Sequence, residues 1–244
     1  MEEDLKESKK EIERLKILFN ILAHDLKNPV NNVAFALETI LSDYQDGSLK
    51  GEQLVHLLKL AYDGSKNTSV LLNNLLAWSR LQQEGAKMSI ASRNLFKEVE
   101  NSIGVLTEPA GEKGINLEYK NETLSPKDIN VMADSTLLQI IVRNLASNAI
   151  KFTRTSGEVS ISWKKKDNTV EISIADNGIG LSKDQIKDIF NKPGVSASGT
   201  AGETGTGLGL PMCWDMTRKM GGTIRVESEL GKGTTFIVVL PSGE

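Results

Sequence analysis

The chain has few of the residues that staple small secreted domains or build metal centres. Its 244 residues include one cysteine, Cys213, and two histidines, His24 and His56. A single cysteine excludes an internal disulfide framework and fits a reducing compartment. So few thiols and imidazoles also argue against a His/Cys zinc site. Long apolar runs are lacking: none approaches the roughly 20 residues of a membrane span. The charged opening MEEDLKESKK does not read as a signal peptide. There is no basic excess either. A net charge of −3 and an isoelectric point near 5.6 provide no bulk attraction for nucleic acid. These absences lead to an expectation of a cytoplasmic chain with no nucleic-acid partner and no direct membrane contact. The length fits one large domain or two ordinary ones.

What is present divides in two. From Ile12, apolar side chains recur at Leu15, Phe19, Leu22, Leu26, Val33, Ala36 and Ile40. Steps of three and four make a heptad seam on a helix, predicted to run to about Tyr44. Asp46-Gly47-Ser48 supplies a stop and turn. A second helix is predicted from about Gly51 to Gln83, with a seam of Leu54, Leu58, Ala61, Thr68, Leu72, Leu75 and Trp78. Two such helices form a hairpin that buries one side of each. Pairing two hairpins into a four-helix bundle completes the core, so a homodimer is expected.

From Met88 the pattern turns to mixed α/β. Helices are expected over Asn94–Gly111, Asp134–Phe152, Ser182–Phe190 and Gly207–Met220. Strands are expected over Ile115–Tyr119, Ile129–Met132, Val159–Lys165, Val170–Ala175, Thr223–Glu229 and Thr234–Leu240. The stretch from Asn191 to Thr206 is rich in Gly, Ser, Thr and Ala and reads as a loop. The predicted division is 1–86, all helical, and 87–244, an α/β sandwich.

Four short stretches carry candidate chemistry. If Leu22 occupies heptad position d, His24 falls at f and Asp25 at g. Asn28 then lies one turn on, on the same outward side, and Pro29 falls in the seam. Spacing alone leaves His24 a surface histidine; the second half of the chain changes that. Asn144, Asn148 and Lys151 share one helix face, where an amide oxygen can ligate Mg²⁺ and an ammonium can pair with phosphate. Asp176-Asn-Gly178-Ile-Gly180 follows a strand, and Asp176 can accept a hydrogen bond from an exocyclic amine such as that of adenine. The Asn177-Gly178 pair within it could also mark a plain β-turn. Gly205-Thr-Gly207-Leu208-Gly209 opens a helix, whose free N–H groups favour an anion.

Taken together and in order, these stretches resemble the catalytic core of sensor histidine kinases. AHDLKNP is similar to that family's phosphoacceptor box, NLASNAIKFT to its N box, DNGIGL to its first glycine box and GTGLGL to its second. The resemblance implies a dimerisation and phosphotransfer hairpin followed by a nucleotide domain of the gyrase, Hsp90 and MutL type. It implies ATP and Mg²⁺ as cofactors and a response-regulator receiver domain as partner. It makes His24 the phosphoacceptor, Asp25 the group that orients its imidazole and Asn28 the residue that orients a dephosphorylating water. Asn148 would hold Mg²⁺, with Asn144 beside it. Lys151 would meet phosphate and Phe152 would border the nucleotide. Asp176 would bind the adenine amine in a pocket shaped by Gly178 and Gly180, with Thr235 helping. Gly205, Gly207, Leu208 and Gly209 would line the phosphate side. The F box departs from the pattern: Phe190 is its one aromatic, Pro193 replaces the second, and Lys192 stands where arginine is common.

The implied reaction is autophosphorylation of His24 followed by transfer to an aspartate. The alternatives are a regulator phosphatase and an ATP-driven switch. Gln139 to Arg143 contains no acid of the kind the ATPase relatives use. The charged N-terminal heptads resemble the output end of a coiled-coil linker, so a sensor module is expected upstream in a longer protein.

Overall fold

The computed structural model describes residues 26–82, 88–121, 129–190, 197–203 and 207–244. His24, Asp25, Lys192 and Gly205 lie outside these residues. The chain separates into two compact units, Met1–Ser79 and Arg80–Glu244. The predicted boundary at 86/87 falls among residues that are not described.

In the first unit, helix α1 spans residues 26–45 and α2 spans Gly51–Leu81. The turn between them uses Gly47 at φ 68°, a backbone conformation natural to glycine. Asp43 secures the turn, its carbonyl accepting from the Ser48 and Leu49 N–H groups. On α1 the covered positions are Leu26, Pro29, Val33, Ala36 and Ile40, which is the predicted seam.

On α2 the seam is shifted by one residue from expectation over part of its length. Leu57 and Gly64 are buried, whereas Leu58 and Leu72 are exposed by 49% and 42%. The inner row runs Leu57, Ala61, Gly64, Thr68, Leu71, Leu75 and Trp78, an unbroken heptad. The misreading has a physical source: each helix carries two apolar stripes one residue apart. Val30, Leu37, Leu41 and Tyr44 make the outer stripe of α1. Leu58, Tyr62, Leu72 and Leu76 make that of α2.

Gly64 marks the closest approach of the two helices. A Cβ there would lie 2.8 Å from Val33 Cγ2 and 3.1 Å from the Pro29 carbonyl oxygen.

The second unit is built on a five-stranded sheet in the order β2-β4-β5-β7-β6. Its strands are β2 (Asn116–Asn121), β4 (Glu158–Lys166), β5 (Thr169–Asp176), β6 (Thr223–Glu229) and β7 (Gly233–Pro241). Strand β2 runs parallel to β4, and every other pairing is antiparallel. A separate antiparallel pair joins β1 (Ala91–Asn94) to β3 (Asn130–Ala133). Strand β1, Ala-Ser-Arg-Asn, has no alternation and was not expected from the sequence.

Helices α3 (Leu95–Ile103), α4 (Thr107–Glu112), α5 (Ser135–Phe152), α6 (Lys183–Asp188) and α7 (Gly209–Lys219) complete the unit. The single helix predicted over Asn94–Gly111 is broken by a 3-10 turn at Gly104–Leu106. Helix α5 is the centre of the core: Leu138, Ile141, Val142, Leu145 and Ala146 are fully buried. It packs on α3, on α7 and on β5. Asp134 caps it through the N–H groups of Thr136 and Leu137, as its sequence position suggests. Ser182 and Gln185 form a capping box on α6.

Alternation divides the sheet into two faces. Ile161, Trp163, Ile172, Ile174, Phe236 and Val238 are all on one face and buried. Phe190 stacks on Trp214 of α7 at 5.2 Å and meets Phe236 edge-on at 6.3 Å. The aromatic of the F box is therefore a core anchor.

Gly64→Leu tests the hairpin. Overpacking of this kind costs about 1–3 kcal/mol, so the variant should unfold earlier in urea and on heating. Unchanged stability would contradict the close approach at Pro29.

Candidate functional site

Helix α5 ends between three other segments, and the reason lies in its backbone. The last four carbonyls of an α-helix have no partner within the helix. Here all four are satisfied. Ala149 accepts from the Thr153 N–H at 3.0 Å and its hydroxyl at 2.6 Å. Ile150 accepts from Lys113 Nζ at 2.9 Å. Lys151 accepts from Lys113 Nζ at 2.8 Å and from the Thr200 N–H at 3.1 Å. Phe152 accepts from the Ile179 N–H at 3.1 Å. The helix end thus gathers the α4–β2 turn, the segment 197–203 and the loop after β5.

Those bonds fix what the glycines of Asp176–Leu181 do. A Cβ on Gly178 would collide with the Phe152 carbonyl, and one on Gly180 with the Glu229 carbonyl. Gly180 also holds φ 67°. The two glycines let the Ile179 backbone pass between α5 and the β6–β7 turn, where the Gly231 N–H donates to the Ile179 carbonyl at 2.7 Å. Their demonstrable role is close packing of backbone, which in turn fixes Asp176. Asn177 pins the same loop to β4, its Oδ1 accepting from the Glu158 N–H at 2.9 Å.

Asp176 ends β5 half-buried. Its Oδ1 accepts from the Gly178 N–H at 2.9 Å and the Thr234 N–H at 3.3 Å. Both bonds fall on one oxygen, so among the described residues Oδ2 is left to accept a further donor. Burial raises this carboxyl above its ordinary value, and the two backbone bonds oppose the rise.

The neighbour of Asp176 on β7 is Thr234, its register partner. Thr235 pairs with Ala175 and, by alternation, lies on the opposite face of the sheet. The expectation for Thr235 is therefore corrected by one residue. Ser228 completes this corner and was not anticipated. Its hydroxyl accepts from the Leu181 N–H at 2.8 Å and is 2.9 Å from Thr234 Oγ1.

Along α5, Asn144 and Asn148 are half-buried on the face that also carries Lys151. Among the described residues Asn144 Nδ2 is buried without a nitrogen or oxygen partner, and the Asn144 side chain meets only the Cys213 thiol, a weak one. An orphaned amide costs about 1–3 kcal/mol, which is tolerable where a ligand supplies the missing partner. A Cβ on Gly209 would stand 3.6 Å from the Asn144 side chain, so the start of α7 adjoins this amide. Helix α7 has no side-chain cap, which leaves its first N–H groups to other partners. Gly207 just before it holds φ 67°. Leu208 is buried in the core, so its side chain is not free to line a phosphate site.

Lys151 Nζ donates to the Ala197 carbonyl at 2.8 Å and sits 4.7 Å above the Phe152 ring. Burial lowers its pKa; the Glu203 carboxylate opposes that shift and Lys113 adds to it. Cys213 is fully buried and its thiol is pushed up to about 12 by that burial, which marks it as inert. Asn28 is exposed on α1.

The structure thus brings Asn144, Asn148, Lys151, Phe152, Asp176, Gly178, Gly180, Gly207 and Gly209 around the end of one helix and the start of another. No group of three or more His, Cys, Asp or Glu among the described residues could hold a metal. Asn148, with an amide oxygen on the face shared with Lys151, is the residue that fits Mg²⁺, an ion that takes one or two protein ligands and draws others from phosphates and water. The acceptor set fits a purine amine at Asp176, and the donor set fits phosphates near Asn144, Lys151 and α7.

Two family models match the chain. Residues 133–244 match the histidine kinase-, DNA gyrase B- and HSP90-like ATPase domain. Residues 14–84 match the His Kinase A (phospho-acceptor) domain. The chain carries the catalytic core of a histidine kinase. It is 28% identical to the sensor protein SrrB of Staphylococcus aureus over 227 residues, covering 91% of this chain and 37% of that protein. Only a part of such a relative is therefore represented. Among solved structures, full-length ShkA in complex with AMPPNP is 26% identical, with a TM-score of 0.63 over 93% of this chain and 46% of that one. ThkA, solved with the response regulator TrrA, is 20% identical and shares the fold, with a TM-score of 0.67 over 98% of this chain and 66% of that one.

The Asp176 carboxyl gives a pH test. Only its ionised form can accept the backbone N–H groups on Oδ1 and an amine on Oδ2 at once without carrying a competing proton. Because burial raises its pKa, protonation begins at a higher pH than for an ordinary carboxylate. Adenosine affinity should therefore fall as pH drops through that raised value and recover above it. Asp176→Asn should lower affinity about 10–100-fold, the range for a hydrogen bond to a charged group, and should abolish the pH dependence. Equal pH profiles for both proteins, measured by calorimetry, would remove Asp176 from base recognition.

Proposed function

We propose that this histidine kinase core binds Mg·ATP in its second unit and phosphorylates His24, and that the phosphohistidine then serves an aspartate on a response-regulator receiver domain. The observation that carries the nucleotide part is the half-buried acceptor Asp176, with a carboxylate oxygen left over, together with Asn144, Asn148 and Lys151 on one face of α5 beside the α7 start. The phosphotransfer part rests on the phospho-acceptor match, whose span includes His24.

In this reading Asp176 holds the adenine amine through Oδ2, and Thr234 and Ser228 keep the carboxylate aligned. Asn148 gives its amide oxygen to Mg²⁺, and Asn144 donates to a phosphate oxygen. Lys151 keeps the Ala197 carbonyl on one of its three ammonium protons and offers another to the phosphate chain. Bound Mg²⁺ supplies neutralisation of the charge on the phosphate oxygens. Asp25 accepts the Nδ1 proton of His24, which leaves the Nε2 lone pair as nucleophile. Nε2 bonds to the γ-phosphorus as the bond to the β–γ bridging oxygen breaks, and ADP departs. Catalysis of this kind is mainly positioning and electrostatic stabilisation. Asn28 orients the water that hydrolyses the regulator's acyl phosphate when the reaction runs towards dephosphorylation.

The homodimer belongs to the same proposal. Each helix of the hairpin buries one stripe and exposes a second, with Phe35 61% and Tyr62 64% exposed beside it. A second copy presents the matching surface and completes a four-helix bundle. Replacing Leu72 and Leu76 together by lysine should shift sedimentation towards monomer; an unchanged dimer would place the interface elsewhere.

Incubation with γ-labelled ATP tests the reaction. Acid-labile label is expected on the parent chain and none on His24→Gln. Label persisting in that variant would falsify the assignment. Asn28→Ala should slow regulator dephosphorylation while leaving autophosphorylation close to normal.

A further inference from the structure

Lys113 is a residue that no motif marks. It follows α4 in the turn Glu112-Lys113-Gly114, and its side chain is 9% exposed. Its ammonium makes three bonds. Two go to the Ile150 and Lys151 carbonyls at the end of α5, at 2.9 and 2.8 Å. The third goes to Glu203 Oε1 at 2.6 Å. A cation at a helix C-terminus is favoured by the helix dipole as well as by these direct bonds. Glu203 is the only carboxylate between Asn191 and Thr206. Its second oxygen, Oε2, accepts from the Ala201 N–H at 2.8 Å. The Gly199 N–H donates to the Glu203 carbonyl at 2.8 Å. Thr200 adds bonds from its hydroxyl to the Thr153 carbonyl at 2.6 Å and to the Lys151 carbonyl at 3.2 Å. The segment 197–203 is therefore folded around Glu203 and fastened to α5 through Lys113.

This fastening has a target. Ala197, at the start of the same segment, accepts from Lys151 Nζ at 2.8 Å. Gly199 lies so close that a Cβ there would sit 2.7 Å from Lys151 Cγ. The stem and the tip of Lys151 are thus both bounded by the segment that Glu203 organises. We propose that Lys113 and Glu203 are positioning residues that set the Lys151 ammonium for the phosphate chain of the nucleotide.

The pair also balances charge. Lys113 and Lys151 are two cations converging on one helix end, which would repel each other without the carboxylate between them. Burial acts to raise the Glu203 carboxyl, but the Lys113 bond, with the Glu203 and Ala201 N–H groups, carries it below its ordinary value. Glu203 accordingly remains an anion beside the two ammonium groups. Neither Lys113 nor Glu203 touches nucleotide in this scheme; they act through Lys151. The inference rests on the reading that Lys151 faces phosphates, and the test separates the two.

The experiment compares ATP with adenosine, both measured by calorimetry on the full chain. The variants are Lys113→Met, Glu203→Gln, the double variant and Lys151→Met. Lys113→Met should weaken ATP about tenfold, the scale of one hydrogen bond to a charged group. Adenosine affinity should be unchanged, because Asp176 is untouched. Lys113→Arg, which keeps the charge and the donors, should restore ATP affinity. The double variant should lose no more than the worse single one, since the two residues act as one unit. A general loss of structure would weaken adenosine together with ATP and would overturn the proposal. Full ATP affinity in Lys113→Met and Glu203→Gln, with loss in Lys151→Met, overturns the positioning role alone. Full ATP affinity in Lys151→Met overturns the phosphate reading itself.

Discussion

The end of helix α5 is the constraint from which the nucleotide unit is arranged. A buried helix terminus cannot leave its carbonyls bare, because each unpaired group costs about 1–3 kcal/mol. The four carbonyls from Ala149 to Phe152 recruit donors from three separate places in the chain. Thr153 closes the helix on itself. Lys113 arrives from the turn before β2, Thr200 from the segment ahead of α7, and Ile179 from the loop after β5. Each donor carries a piece of the site with it. Ile179 brings Asp176, and Thr200 brings Ala197 and Glu203. The same helix turn already bears Asn148 and Lys151. Satisfying one backbone terminus therefore assembles most of the binding surface.

How much of this could be read from residues depends on the kind of order involved. Asp134, Ser182 and the alternation of β4, β5 and β7 are local signals, and the structure repeats them closely. Asn144, Asn148 and Asp176 stood out through their spacing and the order of the stretches that carry them, and the structure sets both stretches at α5 through the Ile179–Phe152 bond. Lys113 was not, since a lysine after a short helix looks like any solvated charge. Only the meeting of Lys113 with Glu203, 90 positions apart, gives it meaning. Thr235 failed for a different reason. Two threonines stand side by side, and only the register of β7 against β5 decides which one shares a face with Asp176. Strand β1 is held by pairing with β3 and by nothing in its own composition.

The hairpin shows the same limit in helical form. Its periodicity was plain, but two apolar stripes one residue apart give two admissible seams. What selects the inner one on α2 is Gly64. A glycine in a helix interior costs about 1 kcal/mol against alanine, so its presence needs a compensating contact. The approach of the Pro29 carbonyl and Val33 supplies it. Proline cannot donate to the helix ladder, and here it sits one residue beyond Asn28 and five beyond His24. A close helix contact and a residue without a ladder donor thus coincide at Pro29. Packing at Gly64 therefore bears directly on the α1 backbone at Pro29.

The two ends of the nucleotide site follow opposite electrostatic rules. At the base end a carboxylate is partly buried, which disfavours its charge, and two backbone N–H groups recover part of that cost. At the phosphate end an ammonium is partly buried, and a carboxylate recovers part of its cost. The compensation is incomplete in both cases, so each group retains capacity for a ligand. A neutral base with an exocyclic amine suits the first, because it donates without adding charge to a desolvated place. An anion suits the second, because it opposes the repulsion between Lys113 and Lys151. Asn144 stands on the α5 face that also carries Asn148 and Lys151. It adjoins the first turn of α7, whose N-terminal N–H groups favour an anion just as the Lys151 ammonium does.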